Sequence, residues 1–227
     1  DPDTELTVVV SKPPDGQVAD RLREEATARG QHVLWALLGS GLPDLTAVAE
    51  QVVRAVGGTA PRWPSWMPDR PATPAPGRAL RGLFCGGTLR DEAAIIAGAA
   101  LGAGRYELVD FGDDAYTRGR AHPMIDPTLR NARLESDGDD LHLGAVLLDV
   151  VLGYGSHGDP AEELAPVIER VRTAAQAPAV VVSLVGAAGD PQGLEGQART
   201  LAAAGAEVYL SNAEAVRRAV ALVQERR

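Results

Sequence analysis

The sequence predicts an α/β protein built on doubly wound parallel sheets. Short β-branched apolar runs alternate with stretches of helical periodicity, and the joins between them are turns rich in Gly, Pro and Asp. Pro61, Pro64, Pro68, Pro71, Pro74 and Pro76 interrupt this alternation, remove backbone donors and mark a linker. The predicted organisation is residues 1–58 as one α/β unit, 59–78 as the linker and 79–227 as a second α/β unit.

The run Leu6 to Val10 is a buried strand followed by the turn residues Ser11 to Gly16. Val18, Leu22 and Ala26 then form one helical face, Gly30 ends that helix, and His32 to Leu38 supplies a second strand. A second helix after Pro43 turns Leu45, Val48, Ala49, Val52 and Val56 inward. Two strands make too small an independent sheet, so this unit is expected to pack on the second unit or on a missing N-terminal region. An opening at Asp1, without methionine, fits a fragment of a longer protein or a processed terminus. Within the linker, Trp63 and Trp66 are expected to pin an extended strap onto a domain surface.

Beyond the linker the strands are Leu80 to Cys85, Tyr106 to Phe111, Ala145 to Leu152, Ala179 to Val185 and Glu207 to Leu210. Helices are expected from Thr88 to Leu101, from Asp159-Pro160, from Asp190-Pro191 and from Asn212. Asp159-Pro160-Ala161-Glu162 places an acid at the N-cap and proline at the first helical position, and Ser211-Asn212-Ala213-Glu214 is a capping box. In the last helix Ala213, Val216, Val220 and Val223 face inward while Arg217 and Arg218 face water.

The balance of 22 Lys and Arg against 31 Asp and Glu gives a formal charge of -9, which disfavours nucleic acid and anionic membrane surfaces as partners. A single cysteine, Cys85, cannot close a disulfide within the chain, and no Cys/His spacing marks a zinc site. With no apolar run of about 20 residues and no signal peptide, a cytoplasmic location is expected.

Ligands of open parallel sheets collect beyond the carboxyl ends of strands, where helix N-termini present free amides. The first such loop, Cys85-Gly86-Gly87-Thr88, lets the backbone approach a carboxylate or phosphate, and it is equally a tight turn with Thr88 as N-cap. The second, Asp113 to Pro127, is stiffened by Pro123 and Pro127; it offers His122 and Asp126 as an acid–base pair and Arg120 as an anion clamp. Asp113, Asp114 and Asp126 could together hold a divalent metal, but an oxygen-only site reads like any polar loop in sequence, and no metal is assigned. Gly153-Tyr154-Gly155-Ser156-His157-Gly158 and Gly186-Ala187-Ala188-Gly189 end two further strands, with Gly153 and Gly155 as anion-binding candidates. Cys85, closing an apolar strand, is read as a small buried core residue rather than a nucleophile.

Val10-Ser11-Lys12-Pro13-Pro14, Gly86-Gly87-Thr88-Leu89 and the long stretch Gly112-Asp113-Asp114 to His122-Pro123-Met124-Ile125-Asp126-Pro127-Thr128-Leu129-Arg130-Asn131 closely resemble the FdrA family. Leu148 to Val151 with Gly153, and Asp190-Pro191-Gln192, extend the likeness. FdrA proteins resemble succinyl-CoA synthetases with both CoA-ligase folds fused in one chain. The resemblance implies two flavodoxin-like CoA-ligase-type units with parallel sheets, the first, of α type, incomplete and the second of β type. It also implies a substrate carboxylate at Gly86-Gly87-Thr88. Where the synthetases carry a Gly-His-Ala-Gly-Ala motif with the phosphorylated histidine, this chain reads Gly39-Ser40-Gly41-Leu42-Pro43. An ATP-grasp domain is also absent from the sequence.

The first functional expectation is therefore a carbamoyltransferase subunit acting on small carboxylates of the oxamate or oxalurate type with carbamoyl phosphate, in purine and allantoin breakdown. There the Gly87 and Thr88 amides hold the carboxylate, Arg120 supports it, and His122 with Asp126 handles protons. The alternatives are an acyl-CoA synthetase-like subunit and a non-catalytic assembly domain. No motif demands a cofactor; CoA and phosphate are the candidates. Small carboxylates or phosphates and other enzyme subunits are the expected partners.

Overall fold

The structure, a computed structural model, describes residues 3–41, 44–76, 78–174 and 176–224. It divides into two compact units, Asp1–Arg62 and Trp63–Arg227.

In the first unit β1 (Thr7–Ser11) runs parallel to β2 (Val33–Leu37), with Thr7 opposite Val33. Helix α1 (Gly16–Ala28) is capped by Asp15, whose carboxylate accepts from the Gln17 amide at 2.9 Å. Helix α2 (Leu45–Ala55) is capped by Asp44, which accepts from the Ala47 amide at 2.8 Å; Pro43 lies outside the described residues. The inward faces differ from those expected. Val18 and Leu22 are 50% and 46% exposed while Ala19 and Ala26 are buried, and Val56, at the α2 C-cap, is exposed. A two-stranded sheet offers too little surface to cover a full helical stripe, so only Ala19 and Ala26 of α1 and Val48 of α2 are buried.

The second unit comprises β3 (Ser65–Trp66), β4 (Ala79–Phe84), α3 (Gly87–Leu101), β5 (Tyr106–Asp110), α4 (Asp114–Thr117), α5 (Thr128–Asp137), β6 (Leu143–Val151), α6 (Pro160–Arg172), β7 (Ala179–Val185), α7 (Leu194–Ala203), β8 (Glu207–Tyr209) and α8 (Asn212–Val223). The sheet order is β3-β8-β7-β6-β4-β5, parallel throughout except for β3 on β8. Numbered by their own sequence, the five parallel strands run 2-1-3-4-5, the flavodoxin-like order. The order reverses between β4 and β6, the place where open sheets of this kind usually take their ligands, at the carboxyl ends of the strands.

Helices cover both faces of this sheet. On one face Leu134, Leu164, Ile168 and Leu201 pack on Val146, Leu148, Val150, Val182 and Leu184. On the other, Ala93, Ala97, Val216 and Val220 pack on Leu80, Phe84, Leu147 and Val181. The expected caps of α6 and α8 form: Asp159 accepts from the Glu162 amide at 3.0 Å and Ser211 Oγ from the Glu214 amide at 3.1 Å.

Three details of the second unit depart from the sequence expectation. Helix α7 starts at Leu194 after Gly193, and Asp190 instead accepts from the Ala187 amide at 2.6 Å. Helix α3 is capped by Gly86 rather than Thr88 and has no side-chain cap bond. Arg218, expected in water, binds Glu207 through Nε and Nη2 at 2.6 and 2.8 Å.

The proline-rich segment is strapped to the second unit. Trp66 pairs with Val208 across the β3–β8 ladder and packs against the core, and its indole N–H donates to Glu195 at 3.1 Å. The Ala75 amide donates to the Leu222 carbonyl at 2.7 Å. Among the described residues no helix is long and apolar enough to cross a membrane.

The tightest packing in the sheet is at Gly82 of β4, where an added Cβ would lie 2.4 Å from Leu108 Cδ2 and 2.7 Å from Phe84 Cε2. Gly82→Ala should cost about 1–3 kcal/mol, read as a lower urea midpoint for the second unit.

Candidate functional site at the strand-order reversal

The turn from β4 into α3 is held from below by one carboxylate. Asp149, fully buried in the middle of β6, accepts from the Cys85 amide at 2.7 Å through Oδ1 and from the Gly86 amide at 2.8 Å through Oδ2. Arg130, buried in the first turn of α5, gives Nη1 to the Asp149 carbonyl at 2.6 Å and to Cys85 Sγ at 2.7 Å; the same nitrogen stands 3.6 Å from Oδ1. A buried carboxylate costs several kcal/mol unless it is paired and hydrogen-bonded, and here both conditions are met. Burial pushes the Asp149 carboxyl up from its ordinary range, opposed by Arg130 and the two amides. Burial likewise pushes the Cys85 thiol up, with the Asp149 charge adding to it, so Cys85 is an inert core residue as expected.

This clamp sorts the amides of the loop. The Gly86 N–H is spent on Asp149, whereas those of Gly87 and Thr88 have no partner among the described residues. With no side-chain cap, these half-exposed donors sit at the positive end of α3, beyond the carboxyl end of β4.

His122 stands beside the same turn. A Cβ on Gly112 would lie 2.6 Å from the Cys85 carbonyl oxygen, 2.7 Å from His122 Nε2 and 3.1 Å from Asp110 Oδ1, so only glycine lets the imidazole approach the end of β4. His122 Nδ1 accepts from the Met124 amide at 3.3 Å, which leaves Nε2 to carry the ring proton. Its carbonyl accepts from the Ile125 and Asp126 amides.

Asp126 is engaged elsewhere. Its Oδ1 accepts from Thr128 Oγ1 at 2.6 Å and from the Thr128 amide at 3.1 Å, and these bonds hold the carboxyl below its usual range. No hydrogen bond joins the His122 and Asp126 side chains among the described residues. Asp126 instead shares a cleft of about 360 Å³ with Arg120, Phe111, Tyr116 and Leu129, and Arg120 adds to its stabilisation as an anion.

The β6–α6 loop closes the other side. The His157 amide donates to the Met124 carbonyl at 2.7 Å, sewing this loop to the His122 segment. Gln192 clamps it: Oε1 accepts from the Gly153 amide at 3.0 Å, and Nε2 donates to the Gly153 carbonyl, Ser156 Oγ and the His157 carbonyl at 2.9 to 3.1 Å. The Gly153 amide is therefore taken, while Gly155 sits exposed at φ 85°. Sequence reasoning passed over Asp149, Arg130 and Gln192. The available signal for the first was an acid inside an apolar strand, which demands a partner. Among the described residues no group of three or more His, Cys, Asp or Glu side chains is placed to hold a metal ion.

Two outcomes test this geometry. Asp149→Asn gives up the charge opposite Arg130 and leaves one amide without an acceptor, which should cost about 3–5 kcal/mol in urea unfolding of the second unit. The Asp126 bonds contribute fully above the ordinary value of 3.8 and are lost as pH falls through the lower folded value. The stability advantage of the native chain over Asp126→Ala should therefore be constant near neutrality and vanish in acid, as thermal melts across pH will read.

Comparison with known proteins agrees with this arrangement. The CoA-ligase family model matches residues 83–222, the segment that carries the clamp and all the loops above. The chain is also 30% identical to "Uncharacterized protein YahF" of Escherichia coli (strain K12), over 249 aligned positions covering 90% of this chain and 48% of that protein. The chain thus spans about half the length of that curated relative. A flavodoxin-ordered sheet, a glycine-capped helix at its reversal and a family match over most of the sequence place the chain in the CoA-ligase family.

Proposed function

We propose that this chain is the acyl-handling part of an acyl-CoA synthetase-like enzyme. The α3 N-terminus receives the oxyanion of a small carboxylate or acyl phosphate. The observation that carries this reading is the pair of amides at Gly87 and Thr88, unpartnered among the described residues and next in the chain to the turn that Asp149 clamps. His122 supplies a further donor through Nε2–H, and Arg120 lends positive charge from the adjoining cleft.

In an acyl transfer the nucleophile adds to the carbonyl carbon, negative charge grows on the carbonyl oxygen, and the bond to the leaving group breaks. Fixed amides and an imidazole N–H stabilise that charge without reorganising. Asp126, bonded to Thr128 and kept ionised, is better suited to holding its own turn and balancing Arg120 than to moving protons. Among the described residues none is assigned to CoA, which enters as a thiol co-substrate held on another subunit or on the portion of the enzyme outside this chain. Those same parts would supply nucleotide activation. A cytoplasmic setting fits this chemistry.

A second reading draws on one specific observation: Gly39-Ser40-Gly41 stands where the synthetases carry their phosphorylated histidine. Transfer without a phosphohistidine fits the FdrA-like carbamoyltransferase. There a hydrogen phosphate oxygen attacks the carbamoyl carbon of an oxalurate-type substrate, the C–N bond breaks, and the phosphate proton passes to the departing oxamate nitrogen. In this reading His122 is the group that assists that proton transfer, supported by its place beside the β4–α3 turn.

Titrating acetyl phosphate into the ¹⁵N-labelled chain should shift the Gly87 and Thr88 amide resonances saturably; unmoved resonances reject the anion site. In the assembled enzyme His122→Ala should lower kcat by about 100-fold or more. CoA-dependent acyl exchange supports the first reading, and oxamate-dependent carbamoyl exchange supports the second.

A further inference from the structure

Arg78, just before β4, and Arg172, the last residue of α6, line one cleft of about 380 Å³ with Thr73, Pro74, Gln176 and Ala177. The cleft lies at the amino ends of β4 and β7, the opposite end of the sheet from the Gly86 turn. Elsewhere in this unit Arg81, Arg130 and Arg218 meet the carboxylates of Asp137, Asp149 and Glu207, while Arg105 gives Nη2 to the Arg78 and Val223 carbonyls at 3.3 and 2.6 Å. Arg78 and Arg172 meet only carbonyl oxygens among the described residues. Arg78 gives Nη2 to Gln176 Oε1 at 2.8 Å and Nη1 to the Gln176 carbonyl at 3.4 Å, and Arg172 gives Nη1 to the Pro178 carbonyl at 3.2 Å.

Both side chains are fixed in place. A Cβ on Gly205, at φ 110°, would lie 3.1 Å from Arg172 Cγ, so the Arg172 stem lies across that glycine; a Cβ on Gly144 would lie 3.0 Å from Arg78 Cβ. No acid lines the cleft. Burial pulls the Arg172 guanidinium below its ordinary range, with the Glu207 charge opposing. The carbonyl end of α6 offsets part of one charge. Neither fork is bonded to a carboxylate among the described residues, so the cleft keeps net positive charge in a chain of formal charge -9.

We propose that this cleft binds a phosphate group, free or esterified, through the guanidinium forks of Arg78 and Arg172. Such forks match the geometry of a tetrahedral oxyanion, and a charge-assisted bond to each would supply the counter-charge that the protein lacks there. The proposal is independent of the acyl-transfer reading, because the two sites lie at opposite ends of the sheet.

The test is a titration of the ¹⁵N-labelled chain at constant ionic strength, following the arginine Nε–Hε resonances. Inorganic phosphate, and separately glycerol 3-phosphate, should move the Arg78 and Arg172 signals saturably, and the tighter of the two identifies the free or the esterified ligand. Arg78→Gln or Arg172→Gln should each weaken binding by about 10-fold or more. Arg172→Lys, which keeps the charge and much of the stem over Gly205, should also weaken it because the fork is lost. Shifts that never saturate, or that survive unchanged in Arg172→Gln and Arg172→Lys, overturn the site. So does movement confined to the Gly87 and Thr88 amides, which leaves the anion site at the other end of the sheet standing.

Discussion

The candidate site depends on a single buried carboxylate. Asp149 spends both oxygens on consecutive amides of the β4–α3 turn, and Arg130 reaches the same turn from α5 through the Cys85 sulfur. Three elements are thereby fixed to one another at the point where the strand order reverses. With Cys85 and Gly86 committed to Asp149, the next two amides along the chain are left without a partner among the described residues. The role proposed for Gly87 and Thr88 therefore rests on a residue that need not touch a ligand itself.

The same economy of donors governs the surrounding loops. His122 accepts from the Met124 amide, so the tautomer that faces the end of β4 is chosen by backbone geometry rather than by an acidic partner. The β6–α6 loop is ordered by Gln192, a neutral side chain from the segment before α7, which both donates to it and accepts from it. A site assembled this way carries little charge of its own beyond the compensated Arg130–Asp149 pair and the Arg120–Asp126 neighbours. It is suited to groups whose charge changes during reaction, because its donors are positioned in advance.

Much of this was legible in the letters, and the failures have physical causes. The strands of the second unit are continuous apolar runs, and the Asp159 and Ser211 caps declare two helix starts by local chemistry alone. Gly86 to Thr88 could be singled out as a turn from a strand into a helix, and His122 by the proline-stiffened connection after β5, both within stretches that resemble the FdrA family. Helix α5 was not legible, since Arg130, Asn131 and Asp137 form its buried face and leave only Leu134 to report an apolar period. The clamp was beyond reach for another reason: Asp149 and Cys85 lie 64 residues apart, and no local pattern encodes a contact at that separation. In the first unit the periodicity of Val18 and Leu22 was real but misleading, because a period says which residues share a face and not whether anything covers it.

The small anion proposed for a chain of formal charge -9 poses an electrostatic question. Repulsion from scattered surface acids acts through solvent and is largely screened beyond about 8–10 Å at physiological salt. Hydrogen bonds from fixed amides act at contact, where the partial charge at a helix end is concentrated in its first turn. Short-range donors can therefore outweigh long-range repulsion, provided no acid stands bare beside them. Asp149 contacts the turn directly, and its charge is met by the Cys85 and Gly86 amides and faced by Arg130. Asp110, the other acid acting on Cys85, accepts from the Gly112 amide at 2.9 Å. The clamp thus both fixes the turn and meets the charge of the acid in contact with it.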